Sequence, residues 1–183
     1  MTDKKLPGTS MSRLLLISVL LFSLSRPAMA EWNIVTHTNT DSNFKTMIAH
    51  TENAEGYTLE IYRDGNGAVR SRFSMNNNNN RLDSKLCPTY QVDSRPALNR
   101  SINDAACISH QKWAEFVLGY VIDNKVTSTL LHNIMNGNKI SYRFSLDPYG
   151  YAETSFSLIG SKRTLTDALG HDVAVLTDSG FSN

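Results

Sequence analysis

Long hydrophobic runs are missing from this 183-residue chain. The longest, residues 14–24 (LLLISVLLFSL), holds 11 side chains. At about 1.5 Å each it would cover about half of a ~30 Å hydrocarbon core, which argues against a permanent helical anchor. Metal-ligand spacings are missing too. Neither C-x-x-C nor H-E-x-x-H occurs, and His37, His50, His110, His132 and His171 are scattered singly along the chain. There is no glycine-rich phosphate loop and no G-x-S-x-G elbow. No internal repeat or long linker divides the sequence. No metal or cofactor is therefore expected.

What is present begins with a three-part N-terminus. Lys4, Lys5 and Arg13 precede the apolar run, and Ala28-Met29-Ala30 follows it as the small-x-small pattern that a signal peptidase reads. Residues 1–30 are thus expected to be a secretory signal cut after Ala30, and Met11 is an alternative start. No cysteine stands directly after the run at the expected cleavage site, so a lipid-modified N-terminal cysteine is not expected. The expected product is periplasmic or secreted: residues 31–183 as one exported domain of 153 residues.

Charge of one sign is also scarce. The whole chain carries +1, from 18 basic and 17 acidic residues. Without Lys4, Lys5, Arg13, Arg26 and Asp3, 14 basic and 16 acidic residues remain, a net charge of −2 with the signs interleaved. Such a surface offers no electrostatic footprint for nucleic acid or an anionic membrane.

Two cysteines occur, Cys87 and Cys107, both in the part expected to be exported. In an oxidising compartment a disulfide is the simplest fate for them. Closing that 20-residue separation would stabilise the fold by about 3 kcal/mol in the chain-entropy view. A free Cys107 nucleophile with His110 as its base is the competing reading, and oxidation would remove the thiolate it needs.

Period-two alternation dominates the exported part. Residues 32–35 read as a first strand. Phe44, Thr46, Ile48 and His50 line one face of a second, and Tyr57, Leu59 and Ile61 of a third. Asp64-Gly65-Asn66-Gly67 is the strongest turn signal. Beyond it Val69, Ser71, Phe73 and Met75 share one side of a returning strand, with Arg70 and Arg72 on the other. The asparagine run at 76–80 reads as an exposed loop. Residues 85–92 look extended, and Pro96 biases Arg95 away from helix. Asn99-Arg100-Ser101 matches a glycosylation acceptor that means little in a bacterial host. Residues 105–121 suit a short helix or a strand, with Asp123-Asn124-Lys125 as a turn. Residues 129–135 read as a helix closed by Gly137. Ile140, Tyr142, Phe144 and Leu146 then pair across Asp147-Pro148-Tyr149-Gly150 with Ala152, Thr154, Phe156 and Leu158. Thr164 would cap a last helix ending at Gly170, and the tail from His171 would fray. The expected fold is mostly β: an antiparallel sandwich or partly open barrel with one or two short helices.

Candidate chemistry is thin. His50 and His132 read as packing residues. Ser161, Asp167 and His171 form only a formal triad, and Glu52 and Glu55 sit beside a turn where carboxylates are solvated. Among the aromatics, Tyr149 and Tyr151 flank Gly150 in an exposed turn and are the best candidates for a contact surface.

The stretch from Thr129 through Met135, Asn136-Gly137-Asn138-Lys139, the alternating 140–146, and Phe156-Ser157-Leu158-Ile159-Gly160 running into 164–169 resembles the invasion-associated locus B family of exported proteobacterial proteins. There a short helix, a Gly-bearing turn, two strands and a Leu-x-Gly step into an Ala/Leu helix recur in that order. The early Trp32 strand also fits, whereas Ser161 stands where an aromatic is expected after Gly160, and the region around Cys107 has one cysteine where a closer cluster is expected. The resemblance implies a non-catalytic periplasmic or cell-surface β-sandwich associated with host interaction. Three functions stay open: a non-enzymatic module binding another protein or an envelope component; an inhibitor or immunity-type partner of an envelope enzyme; and a hydrolase whose residues converge only in three dimensions.

Overall fold

The computed structural model describes residues 31–38, 45–75, 80–95, 107–148 and 150–178. The expected signal segment, Phe44, residues 76–79, the glycosylation match and Tyr149 lie outside the described residues. The elements, in chain order, are β1 (Asn33–Thr38), β2 (Lys45–Glu52), β3 (Tyr57–Arg63), β4 (Ala68–Met75), β5 (Arg81–Leu82), β6 (Thr89–Val92), β7 (Cys107–Ser109), β8 (Trp113–Tyr120) and β9 (Lys125–Thr127). After them come α1 (Thr129–Asn136), β10 (Lys139–Asp147), β11 (Tyr151–Ser157), α2 (Ser161–Leu169) and β12 (Ala174–Leu176). No helix among the described residues is long and apolar enough to cross a membrane.

Strands β1-β2-β3-β4-β8-β7 form one antiparallel sheet in that order. A second sheet runs β11-β10-β5, with β6 also paired to β10. The two sheets face each other across an aromatic core in which Phe73 of β4 stacks on Tyr142 of β10, ring centres 4.9 Å apart. Phe156 meets both rings edge-on. Such pairs add about 1 kcal/mol each to the burial of their area. The fold class read from the alternation is the one observed.

The alternation also sets which side chains face in. Leu59 and Ile61 of β3 lie opposite Phe73 and Ser71 of β4 and are fully buried. That leaves Glu60 and Tyr62 opposite Arg72 and Arg70 on the other face. The Asp64 turn closes the hairpin: its Oδ1 accepts from the Asn66 and Ala68 N–H groups, and Gly67 takes φ +82°. In β2 the register corrects the sequence reading. Ala49 and Thr51 are the fully buried residues, paired with Ile61 and Leu59. Thr46, Ile48 and His50 therefore point to the outer face. Alternation alone fixes two faces, and the pairing with β3 decides which one is inside.

Residues 107–109 and 113–120 are strands, so the helical alternative for 105–121 fails where it is described. Pairing with β4 on one side and β7 on the other buries Ala114, Glu115 and Phe116 of β8. Gly119 is required by packing: a Cβ there would stand 2.9 Å from Val126 Cγ2. Helix α1 forms as expected, capped by the Ser128 hydroxyl, which accepts from the Leu131 N–H. Helix α2 begins a turn earlier than expected. Gly160, not Thr164, is its N-cap, because the buried Ser161 hydroxyl donates to the Ile134 carbonyl at 2.8 Å and ties the first turn to α1. Nor does the start of the tail fray: β12 pairs in parallel with β9, and the Ser128 N–H donates to the Leu176 carbonyl.

Candidate functional site

The second sheet packs on the inner face of the six-stranded sheet, and α2 lies over β1, β2 and β3 with its apolar side joined to the same core. The outer face is where the polar alternates of β3, β4 and β8 meet. Glu115 of β8 sits opposite Arg72 of β4, which sits opposite Glu60 of β3. Beside it a register shift at Val69/Arg70 displaces β8 against β4, a bulge of the kind that re-aims side chains.

Glu115 is 7 % exposed although it belongs to the outer face. Three side chains enclose it. The Tyr62 hydroxyl donates to Oε2 at 2.7 Å; Arg72 donates to the same oxygen through Nε (3.0 Å) and Nη2 (2.8 Å); Arg70 Nη1 donates to Oε1 at 2.9 Å. Arg70 Nε reaches back to Asp64 Oδ2 at 2.7 Å. Two guanidiniums thus offset two carboxylates, and the carboxylate of Glu115 is saturated with donors. Arg72 also lies 5.1 Å from the Trp113 ring centre and 5.7 Å from that of Tyr62, and His110 stacks on Trp113 at 5.4 Å. The result is a rigid Tyr62–Arg72–Trp113–His110 array. Arg70 Nη2 and Arg72 Nη1 find no acceptor among the described residues. Ile108, 55 % exposed, borders the array on β7 beside Glu115.

Burial by itself would raise the Glu115 carboxyl, but the Tyr62 hydroxyl and the two guanidiniums outweigh it and hold it below the usual range. For Tyr62, burial first and the Glu115 carboxylate second push the phenol well above its ordinary value. Asp64 is held low by Arg70 and two backbone N–H groups against the opposing effect of burial. All three shifts move away from neutrality. At pH 7 the carboxylates stay ionised and the phenol protonated, a poor arrangement for proton transfer and a stable one for binding.

The residues singled out by sequence fare differently. Cys87 and Cys107 form the disulfide, so the Cys107 thiol is consumed. Ser161 is fully buried with its hydroxyl donated to Ile134, which removes it from any triad, although Asp167 and His171 do approach to 3.4 Å at the surface. Tyr151 is 74 % exposed at the start of β11. Its face of the second sheet carries Ser141, Arg143, Ser145, Glu153 and Ser155, and among the described residues no ring packs on it. His50 does not join an apolar face: its Nδ1 lies 3.5 Å from Glu60 Oε1 on the outer side. Among the described residues no three His, Cys, Asp or Glu side chains converge to hold a metal.

Sequence reading missed the array. Arg70 and Arg72 were legible as outward alternates, but Glu115 and Trp113 lay in the segment left open between helix and strand. The signal was a charged residue amid an apolar run, Trp113-Ala114-Glu115-Phe116-Val117.

Two open grooves flank α2. One, of about 540 Å³, runs between the start of β1 and the first half of the helix, past Trp32, Ile34, Ile159, Arg163 and Asp167. The other, about 390 Å³, lies between the second half of the helix and Met47, Arg63 and the Asp64 turn. Neither brings together groups with shifted acidity other than Asp64. No family model, curated protein or solved structure matches this chain.

Proposed function

We propose that the protein is an exported, non-enzymatic interaction module whose contact surface is the outer face of the six-stranded sheet, centred on Tyr62, Arg72 and Trp113. The observation that carries this reading is the array itself. Arginine and tryptophan are the residue types that dominate binding energy at protein interfaces, and they do so best when held rigid beforehand. Here Glu115 fixes Arg72 against Trp113 before any partner arrives, and Ile108 supplies apolar surface at the border. Arg70 Nη2 and Arg72 Nη1, which have no acceptor among the described residues, could donate to acceptor oxygens of a partner protein. Export is proposed from the N-terminal pattern, with which the disulfide is compatible. The class agrees with the one that the resemblance of the C-terminal third suggests.

The test is capture from envelope extract by wild type, Trp113→Ala, Arg72→Ala and Tyr151→Ala in parallel. A partner retained by wild type and Tyr151→Ala but lost by the first two variants is the expected result. Retention by Trp113→Ala overturns the reading. Loss with Tyr151→Ala alone moves the contact to the turn before β11, where an inhibitor-type loop would act.

A further inference from the structure

Every open sheet edge exposes backbone donors and acceptors, and folded proteins normally guard them. Three of the edges here can be compared. In the second sheet, the free side of β11 is guarded by side chains. Asn53 Nδ2 donates to the Ser155 carbonyl at 3.0 Å, and Trp32 Nε1 donates to that of Ser157 at 2.8 Å. In the six-stranded sheet, β7 is only three residues long and carries the disulfide. The opposite edge, β1, has six residues in unbroken register with β2 and no pairing partner on its other side among the described residues. Its sequence, NIVTHT, contains no Lys, Asp, Glu or Pro, four of its residues are β-branched, and all but Ile34 are exposed.

We infer that β1 is a self-association edge, pairing antiparallel with β1 of a second copy of this chain. The occupant follows from the strand's own chemistry. Centring the two-fold axis on Val35 sets Val35 against Val35 and Asn33 against His37 on the outer face. On the inner face it sets Ile34 against Thr36. No like charges meet in this register, and the 45 % exposed Val35 is covered by its own copy, as an isologous interface requires. Thr36 of the second copy would then border the groove beside Ile34 and α2. The six-stranded sheet becomes one continuous twelve-stranded sheet, and the unguarded edge disappears. The array on β3, β4 and β8 lies away from this edge and stays accessible.

Sedimentation velocity of the purified, oxidised protein from about 1 to about 100 µM tests this. We expect wild type to dimerise in that range, Val35→Lys and Val35→Glu to be monomeric, and their equimolar mixture to dimerise again through the complementary charges. Amide exchange in wild-type β1 should slow at least about tenfold from the low to the high concentration, a readout that does not depend on how the variants fold. A wild type monomeric throughout overturns the inference. So does a dimer that Val35→Lys leaves intact, or exchange in β1 that ignores concentration.

Discussion

Arg72 holds one oxygen of Glu115 twice, through Nε at 3.0 Å and Nη2 at 2.8 Å, while its guanidinium lies 5.1 Å from the Trp113 ring centre. A long, rotamer-rich side chain is thereby fixed in one pose on the outer face of the sheet. The carboxylate carries most of that order, since Arg70 and Tyr62 converge on it as well.

Glu115→Ala should therefore do more than delete one side chain. Arg72 loses its carboxylate partner, while Arg70 keeps Asp64. Breaking a fully buried pair costs about 3–5 kcal/mol. The Arg72 side chain is 36 % exposed, so water replaces part of what is lost, and about 2 kcal/mol is expected. Urea unfolding of wild type and variant measures it.

Acid should weaken the protein. Glu115 and Asp64 are both held below the ordinary carboxylate range in the folded chain. Groups depressed in this way stabilise above their unfolded pKa of about 4, and the contribution fades as pH falls through the folded value. Thermal midpoints should thus drop below pH ~4, and Glu115→Gln should flatten that fall. An acid limb identical in wild type and Glu115→Gln would show that the array does not carry it.

Reduction should expose the value of the disulfide. Cys87 and Cys107 close a loop of 20-residue separation that joins the β6 side of the second sheet to β7 at the edge of the first. Loss of about 3 kcal/mol is expected in the Cys87→Ala/Cys107→Ala double variant, read by urea unfolding. Mass spectrometry after alkylation without reduction should find no modified cysteine in wild type.

One substitution should stabilise. Thr51 is fully buried in β2, and its hydroxyl finds no hydrogen-bond partner among the described residues. Thr51→Val keeps the shape and removes the unsatisfied group, so a gain of about 1 kcal/mol is expected, seen as a higher urea midpoint.

The hairpins were open to reading from sequence because their information is local. Asp64-Gly65-Asn66-Gly67 sets a turn, and the alternation on either side sets the register of β3 with β4; the same holds for β10 with β11. The 105–121 segment resisted for the opposite reason. Its apolar residues fit both periods, and only pairing with β4 and with the disulfide-bearing β7 selects the strand. Helix α2 starts a turn before the Thr164 cap that its local sequence suggests, with the Ser161 hydroxyl bonded to the Ile134 carbonyl, 27 residues away.

By itself the sequence determined the mostly β, antiparallel fold, the two short helices and the cysteines available to pair, because alternation, turn residues and composition act over a few neighbouring positions. Only the tertiary structure decided which face of β2 is inside, that Glu115 joins Arg70, Arg72, Tyr62 and Trp113, and that β1 is left, among the described residues, as the long edge without a second partner. Those depend on which strands lie side by side, a matter of long-range packing that no local pattern in the chain encodes.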